Sequence, residues 1–318
     1  MLIIDKIKNN PSSILVLGDI MLDEFIIGCV DRISPEAPVP IVIGEQNLTD
    51  LGGCGNVIRN LFNIGVDINL ISAVGDDFTG KIIKNKVDEM GLKYNGLQIC
   101  EKTKSTRKMR VIAERQHVVR VDWDSNGFYK LDSSQILDVI SKGIQHSDGV
   151  IISDYDKGFC TDEIINFLIK EAQKNQIDVF VDPKGRDWTK YSGATLITPN
   201  LKEAEAILGN SISNNVEVEL AGKKICDLYS IKTCIITRGS QGISIISNNH
   251  CLHIPSNARE VFDVSGAGDT VIACLTSALL SGIDLIQAVT FANSAAGLVV
   301  GHVGTVPIRM DELKSIEF

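Results

Sequence analysis

Gly266, Ala267, Gly268 and Asp269 stand together inside V-F-D-V-S-G-A-G-D-T-V-I-A, residues 261–273. Small residues in succession let a backbone approach a ligand closely. Val271, Ile272, Cys274, Leu275, Ala278 and Leu279 follow at helical spacing, so a buried helix runs on from Asp269. The start of a helix offers unpaired N–H groups and the positive end of a dipole, which together attract an anion. A carboxylate just past those amides suits a base that takes a proton while the amides hold a phosphate. The same G-A-G also serves as a plain tight turn, so the phosphate reading needs support from elsewhere. Two other phosphate motifs fail on spacing. The dinucleotide fingerprint needs a third glycine where Val271 stands, and no Gly-Lys-Ser/Thr ending exists for a Walker A loop.

Further polar groups sit where strands should end. Ile14 to Leu17 is a short apolar run stopped by Gly18-Asp19, the pattern of a buried parallel strand. Ligands of α/β sheets collect at such ends, which makes Asp19 and Asp23 substrate candidates, although Asp19 also fits a turn cap. Gly52, Gly53 and Gly55 precede Asn56 and a helical face of Val57, Ile58, Leu61 and Ile64, ended by Gly65. Gly53 and Asn56 therefore read either as a second ligand site at a helix start or as a turn and cap. Asn200 and Glu203 read first as a capping box and second as a carboxylate facing the water shell of Mg²⁺. Lys157 and Lys184 follow strands and are placed to meet phosphates. Between residues 102 and 122 cations interleave with strand-like runs. Most form a solvated face, but one of Arg110, Arg115 and Arg120, Arg110 first, fits a bidentate anion contact.

Composition narrows the classes. The chain has 318 residues, 44% of them hydrophobic, enough for a sizeable core. A net charge of -9 argues against a nucleic-acid partner bound through a broad basic surface, while leaving room for a local basic pocket. No apolar run approaches ~20 residues, so no membrane span is expected. The N-terminus lacks the apolar centre of a signal peptide, and the expected location is the cytoplasm. Eight cysteines include no C-x-x-C pair, which speaks against zinc and for reduced, buried thiols.

From Val150 onward the pattern is strand then helix, repeatedly. Strands at 150–153, 179–181, 194–197 and 233–236 each end in a polar or glycine cluster. Helices are expected at 161–174, up to 208, at 216–229, 269–280 and 285–300, with a hairpin at 243–254. This alternation predicts a mostly parallel sheet with helices on both faces and one shared cleft along the strand ends. Residues 24–44 carry three prolines and predict two short edge strands around a turn, a flap suited to a lid, a dimer surface or both.

Together these residues resemble the ribokinase-like (PfkB) family of carbohydrate kinases over nearly the whole chain. D-V-S-G-A-G-D looks like the family's C-terminal signature and Gly52-Gly53-x-x-Asn56 like its N-terminal motif. Within the family, G-D-I-M-L-D-E-F, R-I-S-P-E-A-P-V-P, S-D-Y-D-K-G, T-P-N-L-K-E-A-E and N-S-A-A-G-L-V-V-G-H-V-G-T resemble the bacterial D-glycero-β-D-manno-heptose 7-phosphate kinases. The resemblance implies a three-layer α/β sandwich over residues 1–318 as one domain, with lid segments at about 24–44 and 102–122. It implies phosphoryl transfer from ATP, with Mg²⁺, to O1 of the heptose phosphate, feeding ADP-heptose and lipopolysaccharide core synthesis. Asp269 would be the base and Gly266, Ala267 and Gly268 the anion hole. Asn200, Leu201, Lys202 and Glu203 would contact ATP or its magnesium water, and Thr237, Arg238, Gly239 and Asn293 would line the nucleotide pocket. Asp19, Asp23, Gly53 and Asn56 would hold sugar hydroxyls, Arg110 and Lys157 the 7-phosphate, and Asp263 and Ser265 a monovalent cation. A homodimer through the lid is expected. Many relatives carry a nucleotidyltransferase domain with H-x-G-H; none is seen here, so adenylyl transfer is expected on a separate partner. His302 stands where a lysine is expected. The alternatives are another sugar kinase of the family, a non-catalytic sugar or nucleotide binder, and an NAD-dependent oxidoreductase.

Overall fold

The computed structural model describes residues 2–316 apart from 115, 126–128, 130, 132, 248, 249, 259, 260 and 303; Arg115 therefore lies outside the described residues. The chain begins α1 (Ile3–Asn9), β1 (Ser13–Gly18), β2 (Ile20–Ile33), β3 (Pro40–Gly53), α2 (Cys54–Ile64), β4 (Asp67–Gly75) and α3 (Phe78–Glu89). It continues β5 (Tyr94–Cys100), β6 (Arg107–Ala113), β7 (Gln116–Trp123), α4 (Ser133–Gln145), β8 (Gly149–Ser153), α5 (Asp162–Lys174) and β9 (Asp178–Asp182). It closes β10 (Leu196–Ile197), α6 (Leu201–Leu208), α7 (Asn215–Tyr229), β11 (Thr233–Thr237), β12 (Ile243–Ser247), β13 (His250–Ile254), α8 (Ala267–Leu280), α9 (Leu285–Val299) and α10 (Met310–Lys314).

Among the described residues, nine strands form one sheet in the order β13-β12-β11-β10-β9-β8-β1-β4-β5. Pairing is parallel from β11 through to β5, and β12 and β13 add antiparallel at one edge. Successive side chains on a strand point to opposite faces, and this sorts the apolar residues into two cores. Ile14 and Val16 of β1 join the core under α2, α8 and α9, whereas Leu15 and Leu17 join the core under α4, α5 and α7. The result is the expected three-layer α/β sandwich.

A second, smaller sheet has the order β3-β2-β6-β7. Its first two strands are not the short edge pieces expected: β2 and β3 run for 14 residues each. β2 is paired on both sides, antiparallel to β3 and parallel to β6. The prolines permit this because Pro35 and Pro38 fall in the connecting turn and Pro40 opens β3, where no ladder bond is lost. Four elements escape the sequence reading: α1, β5, α4 and α10.

The small sheet is tied to the large one at two points. β2 starts one residue after Asp19, at the end of β1, and β3 runs straight into α2. The second junction is Gly53, at φ 60° and ψ -135°. A Cβ there would lie 2.3 Å from the carbonyl oxygen of Asp19, so only glycine fits.

Candidate active site

The strands of the large sheet end on a rim where β1, β8, β9 and β10 deliver Asp19, Asp154, Asp182 and Asn200. α8 starts against this rim. Gly266, at φ 80°, is its N-cap, and Asp269 lies in its first turn. A Cβ on Gly266 would stand 2.6 Å from Asn56 Nδ2 and 3.0 Å from Thr305 Cγ2. Glycine is thus what lets α8 meet α2 and the segment before α10.

Asp269 is 2% exposed. Asn56 Nδ2 donates to its Oδ2 at 2.8 Å, and the Tyr155 hydroxyl donates to its Oδ1 at 2.8 Å. Burial pushes its pKa up to about 6, against the pull of those two hydrogen bonds. The carboxylate is therefore ionised at neutral pH yet basic enough to take a proton. The N–H groups of Gly268 and Asp269 open the helix with no intrahelical acceptor. Asp182 faces this bend, its Oδ2 lying 3.8 Å from where a Cβ on Gly268 would stand. Burial, then Glu203, then Asp269 drive Asp182 well above the usual carboxylate range.

Further along the rim, Asn200 and Glu203 form the capping box of α6, with Glu203 N donating to Asn200 Oδ1 at 3.0 Å and Asn200 N to Glu203 Oε2 at 2.9 Å. The other Glu203 oxygen takes Lys184 Nζ at 2.6 Å. Leu201 and Lys202 follow in the first turn of α6. Thr237 N donates to Pro199 O at 2.9 Å, which brings Thr237 and Gly239 beside Asn200. Asn293 Nδ2 donates to Pro255 O at 2.8 Å. The Arg238 guanidinium is held by Asn215 at the start of α7, by Ser244 of β12 and by Gln241.

Several acceptor-side expectations meet a different geometry. Asp19 does not present its carboxylate to an open pocket. It accepts from the backbone N–H of Tyr155 (2.9 Å), Lys157 (3.1 Å) and Phe159 (3.1 Å), and so pins loop 154–159. Burial and the neighbouring Asp154 raise its pKa to about 6. Arg110 Nη1 lies 2.6 Å from Asp23 Oδ1, so these two candidates are bound to each other. Lys157 Nζ meets Asp124 Oδ1 at 2.9 Å. Asn56 Oδ1 is buried with no hydrogen-bond partner among the described residues, leaving one acceptor beside the base. Asp263 accepts from Ser265 N at 2.9 Å and Gly304 N at 3.1 Å, and the carboxylate holds that turn. His302 sits just past α9 and bonds Glu312 at 2.6 Å.

Three residues at the rim escape the sequence reading: Tyr155, Asp182 and Lys108. Tyr155 and Asp182 each sit in a strand-end cluster, S-D-Y-D-K-G and D-P-K-G, where an unexplained polar side chain is the available signal. Asp19, Asp154 and Cys160 place three ligand atoms within 4.8 Å of one another. That cluster is internally satisfied, since Asp154 Oδ2 takes both Lys190 Nζ and the Tyr191 hydroxyl at 2.6 Å.

This architecture is the ribokinase-like α/β fold. The phosphofructokinase-2 of Escherichia coli in complex with potassium superposes with a TM-score of 0.79 at 20% identity, covering 96% of this chain and 98% of that one. The Arabidopsis thaliana ribokinase complexed with ribose and ATP gives 0.75 at 18% identity, over 96% and 98%. The chain belongs to the pfkB family of carbohydrate kinases, whose model matches residues 11–311. It is thereby a phosphotransferase acting on a sugar hydroxyl. It is 39% identical over 306 residues to the bifunctional protein HldE of Aliarcobacter butzleri, covering 96% of this chain and 64% of that protein. It is 38% identical over 303 residues to the bifunctional protein HldE of Syntrophotalea carbinolica, covering 94% and 61%. The chain thus spans under two thirds of the length of these curated relatives. Among the described residues no helix is long and apolar enough to cross a membrane.

The pinning of loop 154–159 is testable. Asp19→Ala leaves three amides without their acceptor and should lower stability by about 2–4 kcal/mol. Urea unfolding measures the loss, and hydrogen exchange should show the amides of Tyr155, Lys157 and Phe159 opening first. Unchanged protection of these three would contradict the role.

Proposed function

We propose that the chain transfers the γ-phosphoryl group of ATP to O1 of D-glycero-β-D-manno-heptose 7-phosphate, giving the 1,7-bisphosphate for ADP-heptose synthesis. Family membership and the HldE similarity support a sugar kinase, and R-I-S-P-E-A-P-V-P and its companion stretches favour this sugar phosphate. The observation that carries the reading is the buried Asp269 at the glycine bend, held by Asn56 and Tyr155.

In this mechanism ionised Asp269 removes the proton of the acceptor hydroxyl. The freed oxygen attacks the γ-phosphorus, the bond from that phosphorus to the bridging oxygen of the β-phosphate breaks, and ADP leaves. The amides of Gly268 and Asp269 stabilise the charge on the transferring group, with Gly266 and Ala267 shaping the bend. Asn200 to Glu203, Thr237, Gly239 and Asn293 line the nucleotide side. Asn56 and Gly53 hold sugar hydroxyls. Asp182, whose pKa burial and Glu203 raise and nearby Lys184 lowers, supplies a hard oxygen donor that suits the water shell of Mg²⁺, with Glu203 beside it held by Lys184. When bound, the ion offsets phosphate charge. The exposed apolar residues Ile33, Ile43, Leu48 and Val119 on the small sheet favour a homodimer formed there.

A coupled ADP-release assay across a panel of phosphosugars tests the substrate; brisk turnover of a different sugar with none on heptose 7-phosphate would reassign it within the family. Asp269→Asn should lower kcat by roughly 10³-fold with ATP affinity little changed. Because the base must be ionised, kcat/KM should fall on acidification through a pKa of about 6. Retained turnover, or a flat acid limb down to pH ~4.5, would remove Asp269 from the role. Sedimentation should return twice the chain mass, and a monomer would count against the small-sheet interface.

A further inference from the structure

Four cations gather where the small sheet faces the rim, and three of them have a carboxylate. Arg110 pairs with Asp23 at 2.6 Å, Arg120 with Asp122 at 2.7 Å and Lys157 with Asp124 at 2.9 Å. Lys108 has none within ion-pair distance among the described residues. In the parallel ladder Lys108 lies beside Asp23, and Arg110, two residues on, shares its face. The Lys108 ammonium stands 5.4 Å from the centroid of the Tyr155 ring. The hydroxyl of that ring donates to Asp269. An uncompensated, half-buried cation thus sits one aromatic side chain away from the base. Burial lowers the Lys108 pKa; Asp23 and Asp122 pull it up, while Lys157 and Arg110 push it further down. A cation without a carboxylate of its own makes a site that a dianion would relieve.

We infer that Lys108 binds the phosphate that the acceptor sugar already carries, and so makes the enzyme prefer phosphorylated over free sugars. The inference rests on the kinase reading above. A lysine serves a phosphate as a point charge, and distance from the reacting hydroxyl is what a terminal phosphate ester needs. Because β6 belongs to the small sheet, this contact would draw that sheet onto the acceptor. Binding energy from a non-reacting group would then help to position the hydroxyl against Asp269. The assignment moves the anion contact from Arg110, which Asp23 occupies, to its neighbour two residues earlier.

Steady-state kinetics of Lys108→Met and Lys108→Arg, with heptose 7-phosphate and free heptose as acceptors, test this. A charge-assisted contact predicts a KM for the phosphosugar raised roughly 10–100-fold in Lys108→Met, with kcat changed less than the KM. The KM for ATP should stay in place, Lys108→Arg should recover most of the loss, and the gap between phosphorylated and free acceptor should shrink. An unchanged phosphosugar KM, or an equal loss on both acceptors, would overturn the assignment. If the unaltered enzyme uses free sugars as well as phosphosugars, the kinase reading stands and the phosphate assignment falls. If it phosphorylates no sugar, the kinase reading falls, and thermal shifts with inorganic phosphate decide the lysine. Protection that disappears in Lys108→Met supports the anion site, and protection that survives refutes it.

Discussion

An ionisable carboxylate buried where two helices meet is the constraint on which this structure depends. Taking Asp269 out of water penalises its charge, and an isolated carboxylate there would simply hold its proton. Asn56 from α2 and Tyr155 from the loop after β8 each supply one hydrogen bond, and the first turn of α8 supplies a favourable dipole. These donors lie 213 and 114 residues away in the chain. No local segment can build the site. The large sheet must first bring α2, β8 and α8 side by side, and Gly266 must let the helices close on each other.

The rim also shows how one residue type meets several fates. Asp19, Asp154, Asp182 and Asp269 are all aspartates at or near strand ends on the same edge. Asp19 is saturated by three backbone amides, and Asp154 by Lys190, Tyr191 and the Asp156 amide. Both are finished internally and serve the loop that carries Tyr155. Among the described residues Asp182 takes one long hydrogen bond, 3.5 Å from the Thr198 hydroxyl; two carboxylates oppose its charge and Lys184 favours it. The distribution of donors, rather than the carboxylates themselves, separates scaffold from site.

How much of this can be read in advance follows from the range of the interactions. Parallel strands and their helices announce themselves through local periodicity, so β8 to α9 are legible to within a residue or two at most boundaries. α4 escapes although Ile136, Ile140 and Ile144 keep helical spacing, because the polar and charged residues between them break up the apolar run. The length of β2 escapes because pairing on both sides, which supports a strand beyond its local signal, is a property of the partner strands. The bend at Gly266 to Asp269 is legible because bend and base are consecutive. Tyr155 is not, since its importance lies wholly in the partner of its hydroxyl. Arg110 draws notice as a cation in a strand, but its geometry belongs to Asp23, and only the fold shows that Lys108 is the cation left over.

Continuity of chain then couples the lid to the chemistry. β2 leaves the rim one residue after Asp19, whose carboxylate holds the loop bearing Tyr155. β3 returns to the rim at Gly53 and becomes α2, which places Asn56 three residues later. Both hydrogen bonds to Asp269 therefore come from segments anchored to the roots of the small sheet. The ladder between β2 and β3 runs from Ile20↔Gly53 out to Ile33↔Pro40, so those roots are joined to each other as well. The base and the small sheet are therefore anchored at the same two places, Asp19 and Gly53. The acid at the end of β1 thus ties the root of the small sheet to the loop that carries Tyr155.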